Sequence, residues 1–340
     1  MPAELTALMT TYNSASFIAD AIDSILVQSF TNFELLILDD GSSDNTVQII
    51  KQYDDPRIRL IESQKNEGVG FRLNQALGFI TSPYIVKTDA DDISFVRRFE
   101  LQLRYLKTSG ADIIKCYVDY FTDSSEVAVS ERFIAFKETK QDLINSIDTR
   151  NKIHKELPRW PCFMHASYMA KTNVVKQVGY PCIRIFEDYG MFNRLLANDF
   201  IFDCVPEYLL RFRVSDTSLT ATIDNKQLDE GMSVLVEIKW PSIQKLVQSG
   251  TLFIYGSGGG ARSLKRVLLE KNINVHGFIE SNKSSDLDAI EGVTLFTLNE
   301  VLSQYNKPKF IVAAQPVRAH VCDILNQNAM HEWQDYMVIN

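Results

Sequence analysis

The chain lacks the features that would set it in a membrane, an oxidising compartment or on nucleic acid. No uninterrupted apolar run approaches the ~20 residues that cross a bilayer. No basic-then-apolar leader precedes the first strand-like segment. The expectation is therefore a cytoplasmic protein, docking at most peripherally on the inner membrane face. The five cysteines (Cys116, Cys162, Cys182, Cys204 and Cys322) are scattered, odd in number and without a CxxC pair. That argues against a disulfide framework or a zinc knuckle. Basic residues are in deficit, 35 Lys and Arg against 43 Asp and Glu. A general nucleic-acid binder needs a basic face, and here only local spots such as Arg97-Arg98 remain. There is no fixed-period repeat and no low-complexity tract.

What is present is apolar periodicity. An apolar fraction of 45% over 340 residues predicts a well-buried core and room for two domains. Leu5 to Met9 reads as a buried strand, and Ser16 to Gln28 has helical spacing. Strands follow at Phe33 to Leu38, Arg57 to Glu62, Tyr84 to Lys87 and Asp112 to Phe121, with helices between them. Thr122 to Arg159 is irregular and more polar, a candidate acceptor-side segment. Met164 to Met169 is strand-like, a helix precedes Gly179, Glu187 to Asn198 is helical, and Glu207 to Val214 closes the pattern. This rhythm predicts an α/β fold with a doubly wound, mostly parallel sheet. The expected layout is a first domain over 1–222, a helical connector over 223–249 and a small α/β domain over 250–340.

Three carboxylate clusters end apolar runs that read as strands: Asp39-Asp40 after Phe33 to Leu38, Asp89-Ala90-Asp91-Asp92 after Ile80 to Val86, and Glu187-Asp188 after Ile183 to Phe186. In a parallel sheet the carboxyl ends of strands converge on one crevice. Acidic groups gathered there repel each other unless a cation or a donor-rich ligand joins them. Hard cations such as Mg²⁺ or Mn²⁺ take one or two carboxylates plus ligand phosphates. Each cluster also has a plain structural reading. Asp89-x-Asp91 could be a solvated strand-end turn, Asp39-Asp40 a helix cap, and Glu187-Asp188 a pair set against a helix dipole.

Together these residues resemble a known family. Leu8-Met9-Thr10-Thr11-Tyr12-Asn13, Leu36 through Thr46, Asn66-Glu67-Gly68 with Asn74, Asp89 through Asp92, His165 with Met169, Val178-Gly179-Tyr180, Glu187-Asp188-Tyr189, and Arg211-Phe212-Arg213 with Ser215 and Ser218 match in order and spacing. The first ~220 residues resemble a family 2 glycosyltransferase of GT-A fold, the inverting, metal-dependent kind. The resemblance implies a hexosyltransferase-type enzyme using a nucleotide-sugar donor, most commonly UDP-linked, and a saccharide or lipid-linked saccharide acceptor. Thr10, Tyr12 and Asp40 would contact base and ribose, with Asp39 beside them; Asn13, Asn66, Gly68 and Asn74 belong to the same donor-binding stretches. Asp89 would approach the ribose or sugar, Asp91 would hold the divalent cation, and Asp92 would lie near the donor sugar. Asp188 would be the general base, with Glu187 beside it. His165 and Arg213 are candidates near the diphosphate, His165 reading equally as a core histidine. Gly190 and Phe192 depart from the family pattern and bear on acceptor fit. The Gln-x-x-Arg-Trp stretch of processive synthases is absent, which favours single-sugar addition.

In the last ~90 residues, Gly256-Ser257-Gly258-Gly259-Gly260-Ala261 follows a strand and precedes a helix, and Glu280 ends the next strand. This resembles the Rossmann-like small domains of sugar-modifying enzymes. Gly256, Gly258, Ala261 and Glu280 would line a phosphate loop, with Lys283 and Arg318 as counter-charges. The alternative is an empty pocket in a domain used for homodimerisation or partner docking. Two competing functions stand beside sugar transfer: a nucleotide-sugar-modifying oxidoreductase built on this loop, and a nucleotide-sugar-binding protein without turnover.

Overall fold

The computed structural model describes residues 3–215, 224–280, 289–314 and 317–339. Ser218 and Lys283 lie outside the described residues. The chain forms two compact units, Met1–Thr222 and Ile223–Asn340.

The first unit is built on an eight-stranded sheet. In chain order the strands are β1 (Leu5–Thr11), β2 (Phe33–Asp39), β3 (Ile58–Ile61), β4 (Tyr84–Asp89), β5 (Ile93–Ser94), β6 (Ile113–Phe121), β7 (Met169–Lys171) and β8 (Phe202–Arg213). Their spatial order is β3-β2-β1-β4-β7-β6-β8-β5. The half β3-β2-β1-β4 is wholly parallel, as expected of strands buried on both faces. Leu5, Ala7, Leu8 and Met9 of β1 and Leu35 through Leu38 of β2 have no exposed surface. Helix α1 (Ile18–Leu26) covers them with Ile18, Ala21, Ile22 and Ile25, one stripe at helical period. Helices α2 (Thr46–Ile50), α3 (Val69–Phe79) and α4 (Arg98–Ser109) complete the crossovers.

The second half supplies the antiparallel part of the expected mostly parallel sheet. Met164 to Met169 is mostly not a strand: His165–Ser167 is a tight 3₁₀ turn, and only Met169–Lys171 pairs, antiparallel to both β4 and β6. The stretch 122–159 consists of short helices, α5 (Ser125–Ala128), α6 (Glu131–Ala135), α7 (Gln141–Ser146) and α8 (Arg150–Glu156), with a wide π segment at Phe136–Lys140. Ile183 to Phe186 also forms no strand. It is a loop between α9 (Thr172–Val178) and α10 (Glu187–Ala197), ending at Phe186 in the left-handed region, φ 65°. A bulky residue there is strained and must be held by its surroundings.

Phe192 on α10 is wholly buried, with its ring 4.9 Å from Phe163 and 6.3 Å from Phe202. It is core and offers no surface to an acceptor, which corrects the reading of its bulk. Arg98 corrects another expectation. It is not a surface basic spot but a fully buried guanidinium, donating to the carbonyls of Lys87 (2.8 Å) and Ala166 (2.6 Å). A buried charge is tolerable only when hydrogen-bonded in this way.

The second unit holds a six-stranded sheet of β9 (Thr251–Tyr255), β10 (Gly277–Ile279), β11 (Ala289–Ile290), β12 (Val293–Phe296), β13 (Pro308–Val312) and β14 (Tyr336–Val338), in the order β11-β12-β10-β9-β13-β14. All pairs are parallel except the β11–β12 hairpin. Helices α11 (Asn225–Ile238), α12 (Trp240–Ser249), α13 (Gly259–Glu270), α14 (Leu298–Gln304) and α15 (Arg318–Gln327) flank it. Helices α11 and α12 belong to this unit: Asp229 of α11 makes two 2.8 Å bonds to Arg266 of α13, and buried Lys239 donates to the carbonyls of Val338 and Ile339. Among the described residues no helix is long and apolar enough to cross a membrane.

Candidate active site

Parallel register sets the candidate residues side by side. Thr10 lies opposite Leu38 on β2 and Asp89 on β4, and Thr11 lies opposite Asp39. Neighbouring strands are about 4.8 Å apart, so Asp39 and Asp89 flank the exit of β1 at about twice that spacing. A hollow of about 470 Å³ lined by Thr6, Phe33, Arg57 and Ser82 lies toward the opposite, entry end of these strands.

The nucleotide side is made of stitched loops. Asn13, at φ 49°, accepts from the amides of Ser43 (2.8 Å) and Asp44 (3.4 Å), while its own amide donates to Ser42 Oγ. This leaves Tyr12 half exposed beside the strand exit. Asp39 folds back on its own turn, taking the amides of Gly41 and Ser42 on one oxygen, both at 3.0 Å. Its other oxygen is buried without a protein partner, as is Thr11 Oγ1. Unpaired buried polar atoms are uncommon and invite a ligand. Asp40 is engaged on both oxygens, by the amides of Glu67 (2.9 Å) and Gly68 (2.8 Å) and by Arg72 Nε (2.7 Å). Gly68 sits at φ 97°, where glycine alone is comfortable.

Arg72 escaped the sequence reading. It is 2% exposed and ties Asp40 to Lys65 O, Gln75 and Glu67. Its position one turn into the helix after Asn66-Glu67-Gly68 was the available signal.

Asn66 and Asn74 join this side to the loop before α10. Asn66 O accepts from Arg184 (3.0 Å), and its Oδ1 is buried and unpartnered. Asn74 closes both ends of its amide on the backbone of Tyr180, at 2.8 and 2.9 Å. It clamps the start of the 180–186 loop.

The acid corner follows β4. Lys87, wholly buried, pairs with Asp89 and donates to Thr88 O at 2.9 Å. Burial works to raise the Asp89 pKa, but Lys87, with His165 and Arg98 adding to it, holds this carboxyl below its usual range. The remaining acids go the other way. Asp91, half-buried, is pushed up to about 6 by burial and by the charge of Asp89. Burial, Asp91 and Asp89 drive Asp92 well above the carboxylate range. Glu187 is raised well above by burial, Asp188 and Asp89; Asp188 rises to about 6 through burial, with Asp89 adding to it. Asp89 thus repels acids of both the β4 exit and the α10 start, so the two clusters share one corner. Asp188 Oδ1 also accepts from the Tyr189 amide at 2.6 Å.

His165 and Arg213 do not stand free beside a diphosphate. Burial and Lys87 lower the His165 pKa to about 3, so the ring is neutral; it lies 3.4 Å from Tyr180 OH and 3.8 Å from Glu187. Arg213 donates through Nε to Asp91 O (2.7 Å), its amide donates to Asp92 Oδ1 (2.9 Å), and its guanidinium meets Asp20 and Asp123 over the rings of Phe17 and Phe121. It fixes the 91–92 turn from behind. Both residues hold the corner in place through these contacts.

A divalent cation fits this donor set. Among the described residues no three His, Cys, Asp or Glu side chains form a complete metal cage. Asp91 is half-buried beside an ionised Asp89, and one oxygen of Asp92 is buried without a partner. One or two carboxylates plus phosphate oxygens are what Mg²⁺ or Mn²⁺ requires.

In the second unit Gly256 turns at φ 107°, Ser257 Oγ hydrogen-bonds Glu280, and Arg262 donates to Ser257 O. Side chains added at Gly258 or Gly260 would meet nothing, and Ala261 is buried.

The glycosyl transferase family 2 model matches residues 6–176. An uncharacterized glycosyltransferase of Methanocaldococcus jannaschii is 30% identical over 217 residues, covering 62% of this chain and 70% of that protein. The crystal structure of residues 1–349 of TarS from S. aureus, in complex with UDP-GlcNAc, superposes with TM-score 0.54 at 16% identity, covering 78% of this chain and 71% of that one. The mannosyltransferase PcManGT of Pyrobaculum calidifontis, in complex with GDP-Man and Mn²⁺, gives 0.51 at 16% identity over 80% and 69%. These likenesses show the GT-A architecture. The model match over half of the chain and the archaeal relative carry the assignment: this chain belongs to glycosyl transferase family 2.

Proposed function

We propose that the chain is an inverting transferase that moves a sugar from a nucleotide diphosphate, a UDP-sugar first among candidates, to a hydroxyl of a saccharide or lipid-linked saccharide acceptor. Residues 1–222 carry the reaction. The observation behind this is the acid corner, where burial, with the charge of Asp89 adding to it, pushes the pKa of Asp91, Asp92, Glu187 and Asp188 upward. The UDP-GlcNAc complex of a protein with the same fold supports the donor class, and the Mn²⁺ complex of another supports the cation.

Each residue has a part. Asp39 and Thr11 offer unpaired oxygens to the nucleoside, and Asp40, clamped by Arg72 and Gly68, holds the loop against it. Asp91 is the protein ligand of the cation, which when bound supplies charge stabilisation for the leaving diphosphate. Asp188, with a pKa near 6, is ionised at neutral pH yet basic enough to take the acceptor proton. Burial and the charges of Asp188 and Asp89 raise the pKa of Glu187, and in its protonated form it can donate a hydrogen bond where a second carboxylate would repel. Attack from the Asp188 side in a single displacement inverts the anomeric centre.

The test is release of nucleoside diphosphate from a panel of nucleotide-sugars with Mn²⁺. Slow donor hydrolysis, lost in Asp91→Ala, is the expected result. An NAD(H)-dependent absorbance change without release would overturn it in favour of an oxidoreductase.

A further inference from the structure

Lys87 has a place that sugar transfer as described does not use. Among the described residues it is the side chain ion-paired with Asp89 at the centre of the corner, and it is 0% exposed. Its backbone is locked on both sides: the amide donates to Tyr168 O (3.1 Å) and the carbonyl accepts from Arg98 (2.8 Å). The next cation inward, Arg98, is committed to carbonyls, Gln102 and Ser94. The neighbouring imidazole of His165 is neutral. The amine is held on Asp89 and Thr88 O, away from solvent.

We propose that Lys87 is a positioning residue that stops the acid corner from taking up a divalent cation on its own, so that cation and nucleotide diphosphate enter together. This rests on the transfer reading above. The Lys87 ammonium occupies Oδ1 of Asp89, so an incoming cation meets a buried positive group beside the carboxylates it would use, Asp91 foremost. Asp92 has one oxygen on the Arg213 amide and the other buried. A diphosphate brings the negative charge and oxygen ligands that this corner withholds. Charge effects of this kind are large in a site with low effective dielectric.

The experiment is a Mn²⁺ titration of the full chain by electron paramagnetic resonance, with and without UDP. Wild type is expected to bind Mn²⁺ weakly alone and much more tightly with UDP. Lys87→Met should tighten Mn²⁺ binding without UDP by about tenfold and shrink the UDP effect. Asp89→Asn, which leaves the ammonium uncompensated, should weaken Mn²⁺ binding alone, and Lys87→Arg should restore the wild-type pattern. A purely structural role would move both variants the same way. Same-sign shifts, or none, overturn the proposal. Should Lys87→Met fail to fold, unchanged or tighter Mn²⁺ binding by Asp89→Asn overturns it alone. Wild type that binds no Mn²⁺ even with UDP overturns the transfer reading itself and this inference with it.

Discussion

Among the described residues, the two units differ at the exits of their leading strands. In the first, the exits of β1, β2 and β4 and the loop after β3 leave Thr11 Oγ1, Asp39 Oδ1, Asp92 Oδ2 and Asn66 Oδ1 buried without partners. Five carboxyls meet at one corner, against one paired ammonium. In the second, the loop after β9 closes on itself through Ser257, Glu280 and Arg262. Buried Ser263 Oγ lies farther along, beside Asp229. The same parallel α/β logic yields both. Unsatisfied polarity, which costs stability when nothing fills it, marks the unit whose loops await a ligand.

The strongest way to break that comparison is at Asp91 and Asp188. Asp91→Ala should abolish Mn²⁺-dependent release of nucleoside diphosphate. Asp188→Asn should keep donor affinity within about twofold while transfer falls by ~10²–10⁴-fold, the range for a lost general base. Transfer near the wild-type rate in Asp188→Asn would move the base elsewhere, Glu187 being the next candidate.

A test of the packing under the corner comes next. Phe192→Ala should cost about 3–5 kcal/mol, the range for a buried aromatic truncated to alanine. Chemical denaturation would measure it. A loss under about 1 kcal/mol would mean that α10 is not held by its aromatic contacts.

Strand exits were legible because burial on both faces writes a continuous apolar run that stops where polarity begins. Asp39 and Asp89 follow directly from that. What escaped depends on contacts far apart in sequence. Asn74 read as a donor contact, but its partner Tyr180 is 106 positions away. Arg98 read as surface because a charge in a polar stretch usually is; its partners, the carbonyls of Lys87 and Ala166, are visible only when folded. Ile183 to Phe186 read as a strand from apolarity alone, though Phe186 in the left-handed region cannot continue one. Phe192 shows the reverse error, a core residue read as recognition surface.

pH sharpens the same contrast. With Asp188 titrating near 6, transfer should fall about tenfold per unit as pH drops below 6. Stability should move oppositely. A carboxyl whose pKa is raised by folding, from 3.8 to about 6, favours the fold while protonated, and that contribution is lost as pH rises through 6. Asp188→Asn should therefore raise the melting temperature at pH 8 and leave it near wild type at pH 4. The gain at pH 8 is at most about 3 kcal/mol. Equal shifts at both pH values would mean that Asp188 does not titrate across this window.

The smallest effect belongs to the glycine loop. Gly260 lies in the first turn of α13, where an added Cβ meets nothing within 4 Å. If this loop only turns the chain, Gly260→Ala replaces a poor helix former with a good one and should stabilise the protein by about 0.5–1 kcal/mol. Adding UDP or NAD⁺ should then leave the second unit's protection from hydrogen exchange unchanged in wild type and variant alike. If the loop instead cradles a phosphate, wild type should gain protection at 256–263 on adding the nucleotide, and the new methyl should remove that gain while still raising stability. Stability and ligand response therefore separate, and only the second outcome would give this unit a site comparable to the acid corner.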